Sequence, residues 1–262
     1  MSALISKRRL LFQNVGFYFR GGCGFFTVEK RVRLGICQNH LTLYARLYIL
    51  IGKETDVIRR SGENRKGVDM DLTNVRVILA SKSPRRKELL GDITKEFEII
   101  TRDVNEDLPD GIHPSVGVGM LAVRKGSVVA AEVGDGALVI SSDTLVELGG
   151  VPLGKPDGVA GAREMLSLLS GKTHSVHTGV AVHYHGRVYS GVATSNVTFR
   201  ELSMGDIDEY IATGEPMDKA GAYGIQGLGG RFVTEYDGDF DTIVGLSRSL
   251  TRELIERAIN DD

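Results

Sequence analysis

The run Val75-Arg-Val-Ile-Leu-Ala-Ser81-Lys-Ser83-Pro84-Arg85-Arg86 decides the fold. Residues 75–80 form an apolar, β-branched stretch that suits a fully buried strand. Ser83 then reads as a helix N-cap, with Pro84 at the first helical position. Working downstream, residues 97–100 predict a second strand, and 116–133 carry helical spacing weakened by Gly117, Gly119 and Gly126. Residues 137–142 make another apolar strand, followed by 145–148, a Gly149-Gly150 turn and 151–153. An amphipathic helix over 160–169 stops at Ser170-Gly171. Two long alternating runs, 173–184 and 188–199, join across Gly186 as a β-hairpin. A short helix over 207–212 is stopped by Gly214. Segments 232–236 and 240–244 flank Asp237-Gly238, which predicts a second hairpin, and a helix over 246–259 closes the chain. Parallel βα units mixed with hairpins indicate an α/β fold, a mixed twisted sheet flanked by helices.

Upstream of this domain the character differs. Residues 1–69 carry 13 Lys+Arg against 5 Asp+Glu, a balance of +8, whereas 70–262 carry −10. The near-neutral total of −2 excludes both a disordered acidic tail protein and a polycation built for nucleic acid. No window approaches the ~18 apolar residues of a membrane span; the best stretch, 41–51, is short and broken by Arg46. Residues 1–28 hold Lys7, Arg8, Arg9 and Arg20 among Phe, Leu and Gly with no acid, loosely like a transit peptide. Residues 61–69 read as a polar linker, so the chain divides into an extension, 1–69, and a domain, 70–262. The extension is either a targeting segment or untranslated, with Met70 as the start. Cys23 and Cys37 lie in the extension at a spacing that suits neither a zinc clip nor a redox pair, and residues 70–262 have no cysteine, so no disulfide framework holds the domain and a reducing compartment is the simplest reading. The expected location is the cytoplasm, or an organelle such as the mitochondrion if the extension targets.

Three segments could carry chemistry. A strand running into a capped helix start presents free backbone N–H groups to an anion, to which Ser81 and Ser83 add hydroxyls and Arg85 and Arg86 add guanidinium forks. The same pattern also suits an ordinary cap with two solvated arginines, and the glycine-rich loop of a Walker motif is missing. In Ser141-Ser142-Asp143-Thr144 a carboxylate stands at the end of an apolar strand, at the usual ligand crevice of open α/β sheets. Asp143 there could hold a divalent cation, accept a proton from water, or simply turn the chain. Lys155 in Gly154-Lys155-Pro156 follows the next hairpin toward the same edge. The glycine-rich run 218–230 permits close backbone approach, and its Gln226 offers both donor and acceptor for a base edge. His174 and His177, three apart on a strand, face opposite sides and cannot share a metal. His183 and His185 flank a turn, and Asp237-Gly-Asp239-Phe-Asp241 is only superficially calcium-like, since Arg248 stands where the bidentate Glu would be.

Taken together, the phrases ILASKSPRRKELL, SSDTLV, LGKP, LSGKTHSVHTGVAV and EPMDKAGAYGIQGLGG resemble the Maf family of nucleoside triphosphate pyrophosphatases in order and spacing, over about residues 74–258. That resemblance implies a fold related to the inosine triphosphatases and cleavage between the α and β phosphates, giving a monophosphate and pyrophosphate. It implies a divalent metal, with Asp143 the proton acceptor, Glu106 the acidic position and Lys125 and Lys155 the basic ones, and the expectation built on it is that Glu106 and Asp143 hold Mg²⁺ or Mn²⁺. Arg85, Thr144 and Gln226 match the substrate-choice positions of the dTTP/UTP branch, and modified pyrimidine nucleotides as the target would make the role housecleaning. The alternatives are a 7-methyl-GTP pyrophosphatase and a non-catalytic nucleotide-binding regulator of cell division. The implied partner is the triphosphate itself, with neither nucleic acid nor membrane, and a homodimer is left open. Three residues depart from the family pattern. Lys82 should add charge near the phosphates, Ser142 replaces a usual Ala, and Gly126 should loosen its helix by roughly 0.5–1 kcal/mol.

Overall fold

The computed structural model describes Met70 and residues 72–261. The basic extension, both cysteines, the 41–51 run and the polar linker lie outside the described residues. Strand β1 (Arg76–Leu79) runs into helix α1 (Pro84–Gly91), whose N-cap Ser83 accepts from the Arg86 backbone N–H, with Pro84 in the first turn as expected. The chain forms the short strand β2 (Glu98–Ile99), the long helix α2 (Pro114–Val133) and strand β3 (Ala137–Leu148), which hairpins into β4 (Val151–Leu153). The two pieces expected over 137–148 are thus one uninterrupted strand. Helix α3 (Gly158–Leu169), strands β5 (Thr173–Tyr184) and β6 (Arg187–Phe199), and helix α4 (Met204–Ala212) follow. The β5–β6 connection is a two-residue turn in which His185 (φ 46°) and Gly186 (φ 71°) both take the left-handed conformation that matches strand twist. Three single 3₁₀ turns, Glu215–Asp218, Ala220–Ala222 and Leu228–Phe232, shape the glycine-rich run before β7 (Val233–Asp237), α5 (Phe240–Val244) and α6 (Arg248–Asn260).

One expectation fails. Residues 240–244 are a helix and not the second arm of a hairpin, so Asp237-Gly238 turns the chain out of the sheet. The reason lies in the next residue. Asp239 caps the helix, its Oδ1 accepting from the Asp241 N–H at 3.1 Å and its Oδ2 from the Thr242 hydroxyl at 3.2 Å. Asp241 then binds Arg248 at 2.5 Å, so two of the three superficially calcium-like acids, Asp239 and Asp241, are taken up by a helix cap and an ion pair.

The seven-stranded sheet has the order β2-β1-β3-β5-β6-β7, with β4 added to β3. β1 pairs parallel with both β2 and β3, whereas every other pairing is antiparallel. The strand order therefore reverses at β1, the kind of position beyond which open α/β sheets commonly bind ligands. Pairing of the two stops at Leu79↔Ile140, but β3 continues alone against β5 through Ser141–Glu147. On one face of that extension α2 packs closely: a Cβ at Gly179 would lie 2.5 Å from the Val118 carbonyl oxygen. The other face carries two apolar clusters. One includes Leu138, Ile140, Val180 and Val182 beneath α1 and α6. The second includes Val146, Val176, Leu166 and Ile207 beneath α3 and α4. Ser142, Thr144 and Thr178 fall between them as a polar belt.

Candidate active site

Alternation along β3 sends Asp143 to the α2 face and Ser142 and Thr144 to the opposite one. On the α2 face, Lys125 reaches from the helix to the strand, its Nζ donating to Asp143 Oδ1 at 2.5 Å. The same ammonium pairs with Glu106 Oε1 at 2.8 Å. Glu106 comes from the loop before α2, which Arg124, the neighbour of Lys125, pins by donating to the Asn105 and Asp107 carbonyls. Two carboxylates from distant segments thus converge on one cation. The Asp143 and Lys125 side chains are 13% and 20% exposed, but that of Glu106 is 62% exposed, so the cluster opens to solvent on the Glu106 side. The hydrogen bond from Lys125 holds the Glu106 carboxyl below the usual carboxylate range; partial burial opposes this, and the charges of Lys125, Lys155 and Arg86 assist.

The opposite face is occupied by Arg86. Its Nε donates to the Gly245 carbonyl at 2.9 Å and its Nη1 to the Ser142 carbonyl at 2.7 Å. Nη1 also meets Ser81 Oγ at 3.4 Å, and Nη2 meets Thr144 Oγ1 at 3.1 Å. Thr144 in turn bonds Thr178, whose hydroxyl donates to the Thr242 carbonyl at 2.7 Å. Burial pulls the Arg86 guanidinium below its ordinary value, and nearby Asp143 counters that pull. Arg86, expected to be a phosphate fork like Arg85, uses four of its N–H contacts to tie the α1 start to β3 and to the α5–α6 turn.

The remaining candidates divide clearly. Ser81 Oγ accepts the Ser83 N–H at 3.2 Å, and Ser83 Oγ caps the helix. Arg85 is half-buried, and its charge reaches Asp218 at the start of the glycine-rich run. Lys155 is exposed in a loop whose Gly154 carbonyl accepts the Gly221 N–H at 3.0 Å, within electrostatic reach of Glu106. Gln226 stands apart: it is exposed at the tip of the Gly224–Gly227 turn and, among the described residues, shares no hydrogen bond with the carboxylate pair. Lys82 points outward to Asp103 at 3.6 Å.

Gly126 corrects a second expectation. A Cβ there would lie 2.5 Å from the His183 ring and from Ser141 Oγ, so the glycine makes room for a buried imidazole, and its cost to the helix is offset by packing. Burial lowers the His183 pKa to about 4. His174 is likewise lowered to about 4 by burial, its Nε2 sharing a hydrogen bond with the Tyr223 hydroxyl at 2.8 Å. His177 faces the other way, between Glu147 and Thr194 at 2.8 Å each. Sequence reading gave no role to Glu215, whose carboxylate bonds the glycine-rich loop; only its position in EPMDK next to that loop hinted at one.

The family description "Maf-like protein" matches residues 76–258. The chain belongs to the Maf family. A dTTP/UTP pyrophosphatase of Bacillus cereus (strain ATCC 10987 / NRS 248) is 46% identical over 198 residues, covering 75% of this chain and 93% of the relative. One of Moorella thermoacetica is 47% identical over 182 residues, covering 69% and 93%. Among solved structures, the Staphylococcus aureus Ham1 protein shares 15% identity at a TM-score of 0.39 over 71% of this chain and 94% of that one, a likeness too slight to carry an argument. The Maf match begins at β1 and ends within α6, so it spans the sheet, the carboxylate pair and the glycine-rich run. No helix among the described residues is long and apolar enough to cross a membrane.

Proposed function

We propose that this chain is a nucleoside triphosphate pyrophosphatase that converts dTTP and UTP, and modified pyrimidine relatives, to the monophosphate and pyrophosphate. The observation that carries this reading is the Glu106–Lys125–Asp143 cluster, which opens at the strand-order reversal where α/β sheets bind ligands. The names of the Bacillus cereus and Moorella thermoacetica relatives support the reaction and the pyrimidine base.

Each residue has a definite task in this reading. Lys125, Lys155 and Arg85 supply the positive charge that a triphosphate requires in an acidic domain. Asp143 accepts the proton of the attacking water. The water oxygen forms the new bond to phosphorus, the anhydride P–O bond breaks, and its electron pair leaves on pyrophosphate. Lys125 orients the Asp143 carboxylate through their hydrogen bond. Gln226 faces the base end, and Thr144 acts from the opposite face of β3 through its bonds to Arg86 and Thr178.

The donor set fits a hard divalent cation. Two carboxylates already converge on one positive charge, and among the described residues no group of three or more His, Cys, Asp or Glu forms a closed metal cage. Mg²⁺ and Mn²⁺ suit such a site, since Mg²⁺ commonly binds one or two carboxylates and completes its shell with substrate phosphates and water. Glu106 and Asp143 would hold the ion, which when bound neutralises charge developing on the phosphates.

The test is a panel of dTTP, UTP, dCTP, GTP and 7-methyl-GTP with Mg²⁺ or Mn²⁺, assayed for pyrophosphate and monophosphate. Preferential cleavage of dTTP and UTP to those two products is expected. Preference for 7-methyl-GTP, release of orthophosphate instead, or no turnover at all would each reject the reading.

A further inference from the structure

The glycine-rich run carries Gln226, and around it Gly224, Gly227, Gly229 and Gly230 offer no side chains with which to hold a shape. The 3₁₀ turn Leu228–Phe232 begins at Gly227, which offers no capping side chain, so the turn's first N–H groups lack a local acceptor. They are satisfied from elsewhere. Glu215 Oε2 accepts the Leu228 N–H at 2.9 Å, and Oε1 accepts the Gly229 N–H at 3.3 Å. The same Oε1 takes the Tyr210 hydroxyl at 2.8 Å, and the Tyr210 oxygen accepts the Gly224 N–H at 3.2 Å. The two ends of the Gly224–Gly227 turn, with Gln226 at its tip, are therefore fastened to one carboxylate, directly at one end and through Tyr210 at the other.

Packing shows the same dependence. A Cβ at Gly227 would lie 2.3 Å from Glu215 Oε1, so the loop backbone rests on that carboxylate. A Cβ at Gly224 would lie 2.8 Å from Lys219 Cε, and Lys219 Nζ donates back to the Glu215 carbonyl at 2.7 Å. A Cβ at either position would displace the Glu215 carboxylate or the Lys219 side chain, the groups against which the loop is pressed.

We propose that Glu215 is a positioning residue for base recognition: it sets the loop that presents Gln226, so that discrimination among bases depends on a side chain that need not touch the nucleotide. The proposal rests on the pyrophosphatase reading above and adds a residue to it. A carboxylate is required because three donors converge on it. An amide oxygen at this position could serve only one side, and the amide nitrogen would face an N–H or O–H donor on the other.

The experiment compares wild type, E215Q, E215D, Q226A and the double variant E215Q/Q226A in the full chain. Hydrolysis of dTTP, UTP and dCTP is measured alongside hydrogen exchange at the Leu228 and Gly229 amides. For E215Q we expect kcat/KM on dTTP and UTP to fall about 10- to 100-fold, chiefly through KM, against a much smaller change on dCTP. The Leu228 and Gly229 amides should exchange at least about 10-fold faster, and the double variant should be no worse than Q226A alone. E215D keeps the charge, and it should recover part of the selectivity. Equal loss on all three nucleotides, unchanged selectivity, or additivity with Q226A would overturn the proposal, whatever happens to the melting temperature. If wild type cleaves none of the nucleotides, the pyrophosphatase reading falls by itself. Amide exchange then decides the positioning role: acceleration in E215Q supports it, and unchanged protection overturns it.

Discussion

The two faces of β3 beyond Ile140 make opposite use of the same kinds of group. On the α2 face, Asp143 shares Lys125 with Glu106 and the cluster opens to solvent. On the other face, Arg86 spends its donors on Gly245, Ser142, Ser81 and Thr144, all inside the protein. A charge that is left accessible can take part in chemistry, whereas a charge saturated by carbonyls and hydroxyls holds elements together. The lesson concerns Arg85 and Arg86: adjacent in sequence and alike in chemistry, they part company because the helix turns one toward the sheet and the other toward the glycine-rich run.

Acid should act on both faces, and this is the largest effect on stability expected. His174 and His183 point to opposite sides of β5, and each is lowered to about 4 by burial. Between pH 6.5 and 4 the unfolded chain binds protons that the folded chain refuses, so stability is full above about 6.5. It falls by roughly 1.4 kcal/mol per pH unit for each histidine as pH drops toward 4. Urea unfolding across that range should show this slope, and H183Q should flatten it by one proton's share. A slope unchanged in H183Q would mean that the imidazole is not the buried neutral group described. Next in size, R86M leaves its carbonyl partners short of a donor and should cost about 2–3 kcal/mol in the same assay. Smallest, G126A forces a Cβ into the His183 ring and should cost about 1–3 kcal/mol. Because the clash is specific, H183A should absorb part of that cost, and full additivity of the two substitutions would contradict the close packing.

How legible all this was depended on how local the cause was. The Ser83 cap, the helix stop at Gly171 and the hairpin across Gly186 each follow from a few neighbouring residues, and the structure has them where sequence placed them. At Asp237-Gly238 a genuine turn signal was followed by Asp239, whose side chain caps a helix; nothing in residues 237–244 alone ranks the cap above a returning strand. Gly126 was misread because the imidazole that needs its space comes from residue 183 on another strand. Arg86 is bound to Gly245, 159 residues away, and Glu215 to loop amides whose orphan status depends on the 3₁₀ turn. The acid and lysine types were readable, but their convergence required the sheet order, because Glu106, Lys125 and Asp143 come from a loop, a helix and a strand.

The central claim is that chemistry belongs to the α2 face of β3, and D143N tests it most directly. The amide keeps the shape of the carboxylate but cannot accept the proton from water. Turnover of dTTP per folded molecule should drop by about 10³-fold, with urea stability within about 1 kcal/mol of wild type. Near-normal pyrophosphate release by folded D143N would remove Asp143 from the reaction and place the site elsewhere.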